Sequence, residues 1–116
     1  GNTYMPLGQL GDKARIATGS YTGTGTYGAS NPNSLTFKFE PKVLFISPVT
    51  NYSSELYYQA IFWKGVTSFP THIGSADTGM SVVGNWGKTV SWHSTEGSAN
   101  GQLNASGVQY VYVAIG

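Results

Sequence analysis

The sequence predicts an all-β protein, an antiparallel β-sandwich of about seven strands in a single domain. Three observations lead there. Apolar residues recur with period two or in short blocks bounded by Gly, Asn, Pro and Ser, the pattern of strands between turns. No helix-sized window carries an apolar stripe at i, i+3, i+4, i+7 without a Gly or Pro inside it. A chain of 116 residues is long enough for one core, burying roughly two thirds of its unfolded surface.

Residues 1–13 mix Gly, Pro and polar groups without periodicity and read as a lead-in or linker, leaving 14–116 as the sandwich domain. Strands are expected at 14–21, 35–39, 42–47, 57–63, 80–83, 88–93 and 108–115. Three of them are apolar on both faces. Val43 and Phe45 oppose Leu44 and Ile46; Tyr110 and Tyr112 oppose Val111, Val113 and Ile115. Tyr57, Gln59, Ile61 and Trp63 alternate with Tyr58, Ala60 and Phe62. Strands of this kind are buried on both sides, yet a two-layer sandwich has one dry layer. A long loop or another subunit is therefore expected over the second face.

The stretch GTGTYG at 23–28 has the spacing G-x-G-x-x-G of pyrophosphate-binding loops. Such a loop needs a helix starting at its last glycine, whose N–H groups hold the phosphate. Six residues containing Pro32 separate Gly28 from the strand expected at Leu35, which leaves no room for one. The glycines are expected to serve turns, taking positive φ where other residues are strained.

Charge excludes further classes. Charged residues make up 9% of the chain and the net charge is +1, so no field suited to nucleic acid is expected. The polar surface must come from neutral Ser, Thr, Asn, Gln and Tyr, groups suited to neutral hydroxylated ligands. The five acids stand singly, without the facing pair of a glycosidase. His72 and His93 lack spaced metal-ligating partners, and no G-x-S-x-G elbow or Walker pattern occurs. No catalytic residue, metal or cofactor is expected, and the protein reads as not an enzyme. There is no cysteine, hence no disulfide framework, and the redox compartment stays open. No signal peptide is recognisable, and the apolar runs 43–46 and 110–115 are too short to insert into a membrane. Starting at Gly1, the chain is expected to be a fragment or a processed product. Asn51 and Asn104 each open an N-x-S glycosylation pattern, expected by chance in so Asn- and Ser-rich a chain.

Aromatic residues are the best ligand-binding candidates. Trp92 alternates with Val90 and is expected in the core, whereas Trp86, within GNWGK, falls in an expected loop. There it is either a lid over the core or a platform on which a sugar ring stacks; Tyr52, Tyr57 and Trp63 share that ambiguity. A flat ring beside Asn, Gln and Ser suits the mixed C–H and O–H surface of a carbohydrate. Loops at 52–57, at 70–78 with His72, and around Trp86 are the expected contact surface.

The run IATGSYTGTGTYGASNPNSLTFKFEPKVLFI (16–46), with VSWHS and QLNASGVQYVYVAIG (102–116), resembles a family of C-terminal domains. These domains belong to tail-fibre-like and minor structural proteins of phages and prophages of Gram-positive, often gut, bacteria. The resemblance covers the first strand, the F-x-F-E-P-K link and the last strand; 50–80 match nothing recognisable. It implies a viral structural protein: a trimeric distal module in the virion tail, or at the cell surface, that attaches to a host-surface glycan or protein. Three tethered weak sites would raise avidity by roughly 10²- to 10⁴-fold. A carbohydrate-binding module of a bacterial surface enzyme and an assembly-only fibre domain are the alternatives.

Overall fold

The computed structural model describes residues 15–49, 59–71, 80–95 and 99–116. Those residues form eight strands: β1 (Ile16–Thr22), β2 (Asn33–Thr36), β3 (Val43–Pro48), β4 (Ala60–Trp63), β5 (Ser68–Pro70), β6 (Met80–Trp86), β7 (Thr89–Ser94) and β8 (Gln109–Ile115). They make two four-stranded sheets, ordered β1-β8-β3-β4 and β2-β7-β6-β5. Every pairing is antiparallel. The predicted all-β sandwich is what the chain forms. The expected lead-in lies outside the described residues.

Alternation sets the core. From the first sheet Leu44, Ile46, Ala60, Phe62, Tyr110 and Ala114 point inward; from the second, Phe69, Val90 and Trp92 meet them. Phe62 is the hub. Its ring stacks on Phe69 at 4.1 Å between centroids and takes Trp92 edge-on at 5.6 Å. Each such pair adds about 0.5–1.5 kcal/mol beyond its buried area.

Three elements differ from expectation, each for a local reason. The strand expected at 35–39 is β2 at Asn33–Thr36; Phe37 then bonds through its N–H to the Lys88 carbonyl and leaves the ladder. Phe37 and Phe39 still enter the core while Lys38 and Glu40 stay exposed, so extended but unpaired backbone imitates a strand in the sequence. β5 is an unexpected eighth strand, three residues long, and its Pro70 sits on a sheet edge where no ladder hydrogen is needed. β6 runs three residues beyond the expected end at Val83. A bulge allows it: Val83 faces Trp92 and Asn85 faces Ser91, so two steps on β6 match one on β7.

Candidate functional site

That bulge decides the position of Trp86. The extra residue changes the parity of β6, so Trp86 pairs with Val90 and turns inward. Its ring meets Phe62 edge-on at 5.7 Å, and its Nε1–H donates to the Pro41 carbonyl at 2.8 Å. Trp86 is therefore in a strand rather than the expected loop, half-buried against the core. Trp63 is the opposite case, on the outer face of β4 and 56% exposed. Tyr52, Tyr57 and His72 lie outside the described residues, so Trp86 and Trp63 alone of the expected set are placed, and they do not share a face.

The segment 101–105 has no periodicity that marks it as part of the core. All five residues are buried although irregular, so each polar group needs a partner. The Gly101 carbonyl accepts from the hydroxyls of Thr71 and Ser81. Trp92 Nε1–H donates to the Gln102 carbonyl at 2.8 Å, and the Leu103 carbonyl accepts from Tyr21 Oη and Asn33 Nδ2. The Gln102 side chain is saturated. Its Oε1 accepts from the N–H of Gly28 and of Ser94, both at 2.8 Å. Its Nε2 donates to the Asn31 carbonyl at 2.7 Å and to Asn33 Oδ1 at 3.0 Å. Leu103 holds φ at 61° to fit, a left-handed conformation that costs a leucine energy.

GTGTYG wraps around this plug. Gly25 and Gly28 have φ of 86° and 93°, as a turn demands. Gly23 is needed for space: a Cβ there would lie 1.9 Å from the Ala105 carbonyl oxygen. The N–H groups of Gly23, Gly25 and Gly28 point at Val108 O, Asn104 O and Gln102 Oε1. They hold the protein's own chain and have nothing left for a phosphate. Asn104 is 6% exposed, its Nδ2 donating to Thr24 Oγ1 and the Thr26 carbonyl, so its glycosylation pattern is a chance match.

Two surface features remain. The outer face of β1-β8-β3-β4 is apolar in rows crossing all four strands. Ile16, Ile115, Val43 and Trp63 form one row; Thr18, Val113, Phe45 and Ile61 form the next. Between Phe45, Ile61, Val111 and Val113 lies a shallow depression of about 230 Å³. The outer face of the second sheet carries Ser34, Thr36, Thr89, Ser91 and His93 instead.

The second feature is the side where β1 and β2 are both edge strands. A cleft of about 310 Å³ opens there between Tyr21 and Asn33, over Trp92 and Leu35. Its rim is made of neutral groups from Thr22, Thr24, Thr26, Ser34 and Asn104. Burial, with the adjoining Tyr110 phenol, pushes the Tyr21 hydroxyl far above its ordinary range, so it stays a neutral donor.

No family model matches the chain, and no curated protein or solved structure does.

Proposed function

We propose that this chain is a non-enzymatic domain of a phage tail-fibre-like protein that assembles with copies of itself and attaches to the surface of a Gram-positive host, with a surface glycan as the partner. The observation that carries the reading is the contrast between the two outer faces. Ile61 at 58% and Trp63 at 56% exposure stand in an apolar field, and no charged side chain lies on that face among the described residues. Four strands about 4.8 Å apart and some six residues long give on the order of 400 Å² of projected face. That area suits the core of an interface burying about 800 Å² per partner. Ser20, Ser47 and Gln59 offer a polar rim, and an uncharged face meets a second copy of itself without repulsion. The resemblance of 16–46 and 102–116 to phage tail domains supports the same reading, with three copies as the expected number.

Light scattering on the full chain tests assembly. A trimer at micromolar concentration is expected, and Ile61→Ser with Trp63→Ser should give a folded monomer whose melting temperature no longer depends on protein concentration. A wild-type monomer would remove the self-association. Attachment is tested by adsorption of the labelled domain to a panel of Gram-positive cells. A stable trimer that adsorbs to none of them would make this an assembly-only domain. The neutral cleft would serve a carbohydrate-binding module of a surface enzyme equally well; neighbouring genes for tail assembly or for glycoside hydrolases separate the two.

A further inference from the structure

The open side of the sandwich continues past the neutral cleft. Toward the start of β1 and the end of β2 lies a second cleft, about 770 Å³, lined by Arg15, Lys38, Lys88, Phe37, Phe39 and Tyr112. Half of the six basic residues of the chain meet there. All three cations are exposed, and none is paired: the ion pair among the described residues is Lys64 with Glu40, at 3.2 Å. Backbone bonds fix the cluster. Phe37 N–H donates to the Lys88 carbonyl at 2.8 Å, and Gly116 N–H donates to the Arg15 carbonyl at 2.8 Å.

Among the described residues no carboxylate pairs with these three like charges, and their mutual repulsion is a cost that a bound anion would relieve. The surroundings narrow the class of anion. Tyr112 stands edge-on to Phe37 at 5.8 Å, in space cleared by Gly19, where a Cβ would lie 2.3 Å from its hydroxyl oxygen. That hydroxyl has no hydrogen-bond partner among the described residues, nor do those of Thr22 and Ser34 on the neutral cleft. From Ala17 to Tyr21, four steps of about 3.3 Å separate the two clefts along β1. The site is thus elongated, with cations at one end and free hydroxyls at the other.

We infer that this open side binds an acidic polyhydroxylated chain of the cell surface, its anionic groups over Arg15, Lys38 and Lys88 and its hydroxylated units in the neutral cleft. The inference rests on the attachment reading and names the kind of polymer. Nucleic acid is disfavoured, because three cations release few counterions.

The test measures binding of the full chain to four immobilised polymers: polygalacturonate, a poly(glycerol phosphate), neutral dextran and oligo(dT). Binding to one or both acidic hydroxylated polymers is expected, at least tenfold tighter than to dextran and weakening from 50 to 300 mM salt. Which of the two binds tells carboxylate from phosphodiester. Lys38→Gln with Lys88→Gln, both at exposed positions, should lower that binding at least tenfold without moving the melting temperature. Binding to neither acidic polymer, equal binding to dextran, preference for oligo(dT), or indifference to the double substitution would each overturn the inference. Cell adsorption that survives the double substitution would sink this site and leave attachment standing. Binding of acidic polymer by a domain that adsorbs to no cells would do the reverse.

Discussion

Replacing Gln102 by Leu keeps most of its volume and removes four hydrogen bonds at once. The Ser94 and Gly28 N–H groups lose their acceptor, and the Asn31 carbonyl and Asn33 Oδ1 lose a donor. Gln102 is fully buried and Ser94 is 3% exposed, so water cannot replace the Ser94 bond, whereas Gly28 is partly open. A buried orphaned donor costs about 1–3 kcal/mol and each ordinary bond about 1 kcal/mol. The leucine gains some transfer energy in return, and a net loss of about 3–5 kcal/mol follows. Against a typical domain stability of about 5–15 kcal/mol, that is a large fraction. Urea unfolding followed by tryptophan fluorescence should show the midpoint falling by about 2 M or more at unchanged slope. Gln102→Glu supplies the control. Its carboxylate still accepts from Gly28 and Ser94 but turns an oxygen toward the Asn31 carbonyl, so its folded pKa should rise above the unfolded value of about 4.3. A group raised on folding stabilises below its unfolded pKa and loses that contribution as pH climbs through the folded one. The Glu variant should therefore regain stability on acidification relative to wild type. A loss under about 1 kcal/mol for the Leu variant would show that the plug does not hold the sandwich together.

Two further outcomes follow from the same structure. Measured on the monomer, Trp86→Ala should cost about 3 kcal/mol while Trp63→Ala stays within about 0.5 kcal/mol, as read by thermal melting; the two would be equal only if Trp86 lay free of Phe62 and Pro41. Tyr21 and Tyr110 both have phenol pKa values raised chiefly by burial, so the unfolded chain releases their protons first. Stability should be whole below about pH 10 and decline above it. Absorbance at 295 nm should show these two of the eight tyrosines ionising only as the protein unfolds.

Period-two alternation was sufficient to locate β1, β3, β4, β7 and β8, and it exposed the second apolar face as well, because Ile61 and Trp63 alternate with Ala60 and Phe62 whatever the fold. It failed where parity is broken. The bulge at Gly84 turns Trp86 inward, yet its Gly and Asn neighbours read as a loop. The plug was illegible for another reason. GQLNA has no period, and the partners that make Gln102 a hub come from residues about 70 positions away as well as from Ser94 close by. The basic cluster was hidden likewise: Arg15, Lys38 and Lys88 are scattered in sequence, and whole-chain charge averages them away.

β8 is the last strand of the sandwich in chain order and lies between β1 and β3 rather than at an edge. During synthesis the first sheet is therefore missing its middle until the other seven described strands have been made. Among the described strands β1 has no neighbour to pair with before then, and β3 has β4 alone. The buried segment 101–105 arrives just ahead of β8. Non-local closure of this kind is slow and leaves strand edges bare in the interim. The domain should therefore fold late and all at once, and a chain stopped short of Gln109 should be degraded or aggregate instead of forming a partial sandwich.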